Sequence, residues 1–189
     1  IQMHKGDYDE KAIDDFVKNH DYIEAFQVTK MLNIKNSELY HNGESFENSL
    51  MDNSFVAQNE SFDYLLDMNN EIAIINKGEI GIPIYYAQEL GVELGDSIRV
   101  EQGSYAKDFK VSTIIRDAQM NSALTSSKRL LINEADILEL SSNLGEWEYC
   151  FEFLLEEGSI ASLETDYIGA KLPSNGVGIS GYVSMLPCI

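Results

Sequence analysis

The chain has 189 residues, of which 44% are apolar and 24% charged, proportions typical of a folded globular domain. Its 13 Lys and Arg against 32 Asp and Glu give a formal net charge of −19, which excludes nucleic-acid binding through clustered basic residues and disfavours anionic lipid. Its two cysteines, Cys150 and Cys188, exclude a disulfide-rich scaffold and a four-cysteine zinc site, and leave open whether the two pair.

The first third of the chain predicts a helix followed by strands. Apolar residues that recur every three to four positions predict a helix over residues 9–19. Aromatic and β-branched residues predict a strand over 22–32, and Asn42-Gly43 predicts a hairpin turn. A short strand at 54–58 and a helical segment at 61–67 follow.

The middle of the chain is rich in predicted strands. Pro83 can begin a short helix that reaches Leu90, and Gly91 can end it. Asn133 is placed to cap a helix that runs to about residue 140. The strands predicted around these two helices cover residues 72–75, 80–82, 97–100, 109–116 and 129–132.

The last third begins with the clearest alternating pattern of the chain, over residues 146–156. Aromatic residues point to one side of this predicted strand, and Glu146, Glu148 and Glu152 point to the other. We expect the glutamate side to be a solvated face, with a docking face for a basic partner as the alternative. A helix over 159–170 and a loop that begins at Pro173 follow.

This pattern predicts an α+β fold in which residues 70–140 are nearly self-sufficient in β structure. We therefore expect residues 70–140 to be a β-rich subdomain inserted between two parts, 1–69 and 141–189, of an outer α/β subdomain. No run of about 18 apolar residues predicts a membrane-spanning helix within the sequence. The apolar ends lead us to expect a piece of a larger protein, a mature enzyme with a trimmed leader being the alternative.

Two short segments match, or nearly match, known binding or catalytic motifs, but the sequence around them does not suit those motifs. Residues 176–181 match the glycine pattern of dinucleotide-binding folds, but only eight residues follow Gly181, where that fold needs a helix and a later acidic residue. We expect a glycine-rich loop there. Thr125-Ser126-Ser127-Lys128 has threonine where the Ser-x-x-Lys nucleophile belongs, so a polar loop is expected.

Metal ligands and acid–base pairs are equally hard to find. His4, His20 and His41 do not pair at helical spacing, and we expect capping or surface roles for them. Asp7-Tyr8-Asp9 begins like a calcium loop but continues with residues that do not suit one. The 32 acidic residues offer no way to select a catalytic pair. The sequence therefore predicts no catalytic, metal or cofactor-binding residue and no cofactor.

An ordered set of segments resembles a known family. The set begins with Gly-Glu-Ile-Gly-Ile-Pro at residues 78–83, continues with Leu-Gly-Val-Glu-Leu-Gly-Asp-Ser-Ile-Arg-Val at 90–100, and ends with a strand from Phe109 to Arg116-Asp117. It resembles the extracellular domain, or MacB-like periplasmic core, of FtsX-like ABC transporter permeases. Further segments are similar to Gram-positive members, at residues 24–28, 51–56, 119–121, 127–129 and 172–176.

The resemblance implies a non-enzymatic domain between transmembrane helices 1 and 2 of a permease, on the extracellular side of the cell membrane. The outer subdomain would be porter-like. The domain would couple ATP-driven motion to export, substrate extraction or signalling. Its implied partners are a separate ATP-binding subunit, reached through the membrane part of a dimeric permease, and an extracellular peptide or protein, with no nucleic acid.

Two other functions stay open at the level of sequence. One is a free-standing secreted acidic binding module. The other is a hydrolase that uses a carboxylate pair. Apolar spans of about 20 residues on both sides of the chain would favour the permease over the binding module, and a concave pocket with paired carboxylates would favour the hydrolase.

Overall fold

The computed structural model describes residues 2–4, 8–117 and 127–172, the first three of them by their backbone alone. The helices are α1 Glu10–Lys18, α2 Ile84–Glu89, α3 Glu134–Ser141 and α4 Ile160–Gly169. The strands are β1 Gln2–His4, β2 Ile23–Ile34, β3 Leu39–His41, β4 Glu44–Ser45, β5 Asp52–Val56, β6 Glu79–Pro83, β7 Ser97–Gln102, β8 Tyr105–Ile115, β9 Ser127–Ile132 and β10 Glu146–Leu155. This mixture of helices and strands confirms the predicted α+β class.

The chain divides into two compact units, one formed by residues 1–28 with 149–189 and the other by residues 29–148. Strands β2 and β10 each contribute residues to both units. These limits differ from the predicted subdomain limits at 69/70 and 140/141. The assignment of residues 70–140 as an insertion in a porter-like subdomain stays a prediction.

The first unit packs α1 and α4 through apolar side chains. α1 buries Ile13 and Phe16, as its apolar spacing predicts, and α4 buries Leu163 and Tyr167. Phe16 and Tyr167 meet edge to face, with 5.5 Å between ring centroids. Such pairs add to the stabilisation from buried area alone, so the two helices share one core cluster.

Helix α1 begins where its sequence predicts. The carboxylate of Asp9 accepts a hydrogen bond from the Ala12 backbone N–H at 3.1 Å, which satisfies one of the free donors of the first turn. We expect Asp9→Ala to lower the free energy of unfolding by about 1 kcal/mol, measured by urea denaturation. Asp14→Ala, at an exposed position within the same helix, is the matched control and should cost less. Equal losses would contradict the capping role.

The second unit is built on a mixed sheet in the order β10-β2-β5-β9-β6-β8-β7-β3-β4. The pairs β5–β9 and β6–β8 are parallel, whereas β2–β5, β6–β9, β7–β8, β3–β7 and β3–β4 are antiparallel. Its core contains aliphatic and aromatic side chains from most of these strands, among them Leu32, Phe55, Ile80, Val100, Phe109 and Leu130. The β-rich character predicted for the middle of the chain thus arises from one packed sheet.

The predicted turn at Asn42-Gly43 is confirmed. Both residues adopt positive φ, 52° and 82°, and they join β3 to β4. This is the left-handed conformation that a tight two-residue hairpin requires and that Asn and Gly tolerate best. The predicted helices after Pro83 and Asn133 are also confirmed, as α2 and α3.

Two predicted elements are wrong. Residues 61–67 form bends and irregular backbone with a β-bridge at Leu66, and Asp63 has a φ of 51° that no α-helix contains. Residues 72–75 are not a strand, and only Ile72 makes a β-bridge, to Leu66. Side-chain hydrogen bonds replace regular backbone pairing here: the Gln58 side chain accepts from the Leu65 N–H and donates to the carbonyls of Leu65 and Ala73.

Within the part of the chain that the structure describes, no helix has the length and apolar character needed to cross a membrane.

Candidate functional site

The ordered set of segments at residues 78–117, which carries most of the family resemblance, folds as one continuous stretch of the second unit. Residues 78–117 form β6, α2, β7 and β8 in succession. Gly91 and Gly95 both have positive φ, 63° and 93°, where a side chain would be strained. Ile98 and Val100 are fully buried. These residues therefore shape turns and core.

Asp96 joins two parts of this stretch to the β3–β4 hairpin. Its Oδ2 accepts the Glu93 backbone N–H at 2.9 Å and lies 2.8 Å from Nε2 of the buried His41. The backbone hydrogen bond from Glu93 and then the bond from His41 lower the pKa of Asp96. His41 is accordingly a buried structural partner of a turn. His20, at the end of α1, contacts the Phe16 carbonyl through Nδ1 at 2.7 Å.

Arg129 of β9 carries a deeply buried charge. Its Nε and Nη2 donate to the two carboxylate oxygens of Asp117 at 2.7 and 2.6 Å, and its Nη1 donates to Asp63 at 2.6 Å. Burial opposes the charge on Arg129, but the hydrogen bonds and negative charges of Asp117 and Asp63 outweigh it and raise its pKa. We call these three residues the Arg129 cluster.

The Arg129 cluster joins three segments that are distant in the sequence. Asp63 belongs to the irregular loop after β5, Asp117 follows the end of β8, and Arg129 lies in β9. Two carboxylates that face one buried guanidinium form a fully engaged ion pair network rather than an acid and a base that await a substrate. The Arg129 cluster holds these three segments together, and its geometry does not support the hydrolase alternative.

Lys128, next to Arg129, lies on the opposite side of β9. It has no exposed surface, and its Nζ stands 5.0 Å from the centroid of the Tyr85 ring. Burial lowers the pKa of Lys128, and the charge of Asp117 partly offsets this effect. The ammonium group is thus packed on α2, in an arrangement that favours a cation through the electron-rich ring face.

A third buried carboxylate belongs to Asp136 in the first turn of α3. It accepts the Gly78 backbone N–H at 2.7 Å and the Lys107 ammonium at 2.8 Å. Lys107 also donates to Glu139, at 2.6 Å. The start of β6, the strand β8 and α3 are therefore held by one set of charged hydrogen bonds.

The expectation of a solvated glutamate face on β10 is wrong for two of its three residues. Glu148, in the second unit, is buried and accepts a hydrogen bond from Asn33 at 2.6 Å. Glu152, in the first unit, is buried and accepts one from Gln27 at 2.6 Å. The amides of Asn33 and Gln27 on β2 provide the polar partners that make this burial tolerable. These two carboxylates are not available as an exposed docking face for a basic partner.

The turn over residues 66–72 is held by a capping carboxylate. Asp67 accepts the backbone N–H groups of Asn69 and Glu71 at 2.8 and 2.9 Å. The Leu66 N–H donates to the Arg116 carbonyl at 3.1 Å, and the Arg116 N–H donates back to the Leu66 carbonyl at 2.7 Å. The turn is therefore fixed at its tip by Asp67 and at its base by the end of β8.

The backbone hydrogen bond from Glu71, together with those from Asn69, lowers the pKa of Asp67 against an opposing effect of desolvation. A carboxylate whose pKa is lower in the folded state stabilises the fold above its unfolded pKa of about 3.9 and loses that contribution as the pH falls. We expect the stability difference between the wild type and Asp67→Asn to be constant from about pH 7 to 5 and to shrink below about pH 4. Urea denaturation at several pH values measures it. A difference that persists undiminished at the lowest pH would contradict this role.

Several sequence motifs fall outside the described residues, namely the glycine pattern at 176–181, Thr125 and Ser126, Cys188, Asp7 and the side chain of His4. Of the calcium-like stretch, Asp9 caps α1 instead of facing a loop. Over residues 8–117 and 127–172, no three or more His, Cys, Asp or Glu side chains are grouped so that they could hold a metal ion.

Comparisons with known proteins include a remote structural likeness. No protein-family profile matches the chain. No curated protein matches it. A solved structure of a domain from Porphyromonas gingivalis, assigned to a permease protein, shares 14% identity and a TM-score of 0.47, over 90% of this chain and 76% of that one. A likeness this remote bears on no functional assignment.

Proposed function

We propose that this chain is the non-catalytic extracellular domain of an FtsX-like ABC transporter permease, which couples ATP-driven motion to export, substrate extraction or signalling. The observation that carries the proposal is the ordered set of segments at residues 78–117, which resembles the MacB-like core domain of that family. The set folds as consecutive elements, in which Gly78, Gly91 and Gly95 adopt positive φ and the Asp96 side chain accepts a backbone N–H of its turn.

The charged interior of the second unit suits a coupling role. A domain that transmits displacement between other parts of a protein must resist deformation itself. The Arg129 cluster and the Asp136–Lys107 pair each join segments that are far apart in the sequence. Buried charged hydrogen bonds of this kind fix one arrangement, because any other arrangement leaves a charge without a partner.

The gene sequence that flanks the chain provides the first test. The proposal expects an apolar span of about 20 residues before residue 1 and further spans after residue 189. A stop codon directly after residue 189, with only a leader before residue 1, would contradict it and favour the secreted binding module. If the apolar spans are present, purification of the full-length protein in detergent should also recover a separate ATP-binding subunit.

Sidedness is tested by labelling with a membrane-impermeant maleimide in intact cells that express the full-length protein. Leu50 is 91% exposed, so Leu50→Cys places a reactive thiol on the surface without loss of packing. In a background with Cys150→Ser and Cys188→Ser, we expect labelling of intact cells as strong as that of lysed cells. Labelling only after lysis would contradict an extracellular location.

A further inference from the structure

The turn over residues 66–72 and the residues after it present apolar side chains to solvent. Met68, Ile72 and Ile74 are 52%, 47% and 82% exposed, and they lie within seven consecutive residues. Ala73, between Ile72 and Ile74, is buried. Met68, Ile72 and Ile74 form what we call the 68–74 surface. Large apolar side chains that are exposed together, rather than singly, are typical of interaction sites.

The backbone that carries this surface is fixed in place. Asp67 caps the turn, the two hydrogen bonds between Leu66 and Arg116 hold its base, and the Gln58 side chain bonds the backbone of Leu65 and Ala73. Leu65 and Ala73 anchor the segment in the interior. A partner would therefore meet a preformed surface and would not have to order a loop, which reduces the cost of binding.

The charges beside the 68–74 surface are mainly acidic. Asp67 and Glu71 belong to the turn itself, and Glu71 is exposed. One cation at this turn, Arg116, donates to the side-chain oxygen of Asn70. The whole chain carries a net charge of −19, so its field also attracts cations. An apolar patch with acidic neighbours complements a partner whose apolar side chains are flanked by Lys or Arg.

We propose that the 68–74 surface binds a cationic amphipathic peptide or protein segment. This deepens the proposed function, on which it rests, because it assigns a surface and a partner class to the extracellular interaction expected of the domain. Apolar contacts with Ile72 and Ile74 would provide most of the affinity, and the acidic neighbours would raise the rate of association.

The test measures binding of a labelled helical peptide of about 14 residues, with Lys and Leu on opposite faces, by fluorescence anisotropy. The double variant Ile72→Ser/Ile74→Ser should bind at least about tenfold more weakly than the wild type. Leu50→Ser removes another exposed side chain and is the matched control, with an expected change below about twofold. Ile74→Ser alone, at a position that is 82% exposed, should weaken binding with an unchanged melting temperature.

The acidic contribution has its own test. Glu71→Gln should weaken binding by about twofold and reduce its dependence on salt. A peptide with Glu in place of Lys should not bind.

Three results would overturn the proposal: equal affinities for the double variant and Leu50→Ser, equal binding of the Glu peptide, or self-association of the wild type that Ile74→Ser abolishes. The last would identify a second copy as the occupant. Because the assay uses the chain by itself, its failure leaves the flanking-sequence and sidedness tests unaffected.

Discussion

Replacement of Arg129 by Leu is expected to lower the free energy of unfolding by about 3–5 kcal/mol, because it leaves the carboxylates of Asp63 and Asp117 buried without their cation. The side chains of Asp63 and Asp117 are only 7% and 1% exposed, so water cannot take over the role of the guanidinium. Chemical denaturation followed by circular dichroism measures the loss. Arg129→Lys should cost less than Arg129→Leu but more than a surface change, since an ammonium cannot form the paired hydrogen bonds.

Arg99→Leu is the matched control for this prediction. Arg99 also lies beside two carboxylates, Glu101 at 2.8 Å and Asp108 at 3.3 Å, but its side chain is 45% exposed. Its loss should cost less than about 1 kcal/mol. If Arg129→Leu lowered the free energy of unfolding no more than Arg99→Leu, the Arg129 cluster would not stabilise the fold as we describe. Conversely, addition of Asp63→Asn and Asp117→Asn to Arg129→Leu should recover part of the loss, because the unpaired charges are then removed.

Gly145→Ala is expected to produce the second large effect. Gly145 has a φ of 79°, and a Cβ there would lie 2.8 Å from the Asn33 carbonyl oxygen and 2.8 Å from the Leu32 side chain. The left-handed conformation costs a non-glycine residue about 1–2 kcal/mol, and the close contacts with backbone and core add about 1–3 kcal/mol. We therefore expect a total loss of about 2–5 kcal/mol in a urea titration.

Gly103→Ala separates these two contributions. Gly103 also has a positive φ, 61°, but a Cβ there would meet nothing within 4 Å. It should show the conformational cost alone, about 1–2 kcal/mol. The losses of free energy of unfolding in Gly145→Ala and Gly103→Ala should thus differ by the contribution of the close contacts. Equal losses would show that Asn33 and Leu32 shift without cost to accommodate the new Cβ.

The elements that could be predicted from the sequence are those whose signals are local. The spacing of Ile13 and Phe16, with Asp9 as a cap, is enough to define α1. The Asn42-Gly43 turn is equally self-contained, because its two residues provide the conformation that the hairpin needs. Helices and turns of this kind depend on neighbours within a few positions, so a single sequence contains their full specification.

The parts that could not be predicted depend on partners far along the chain. The segment 61–76 looks helical or extended by composition, but Gln58, Arg116 and Arg129 hold it in an irregular path. Glu148 and Glu152 look exposed because they alternate with aromatic residues, and only the amides of β2 explain their burial. A pattern of period two indicates which face a residue occupies, but it does not indicate what covers that face.

One feature of the sequence could have indicated that a charged residue of β9 is buried. Lys128 and Arg129 stand directly before three buried aliphatic residues in β9, an unusual place for two cations. The carboxylate partners of Arg129 lie 12 and 66 positions away, so spacing could not identify them. The 68–74 surface could not be predicted either, because its apolar residues are of the types that usually form the core, and only the structure shows that they are exposed.

The Arg129 cluster also limits how this protein can change over evolutionary time. Loss of Arg129 alone leaves two carboxylates in the interior without a cation, whereas joint replacement of Asp63, Asp117 and Arg129 by apolar residues of similar volume need not be costly. Lineages that lose Arg129 should therefore lose the carboxylates at positions 63 and 117 as well. Among descendants of a common ancestor, acidic residues at these two positions should occur only together with a cation at position 129.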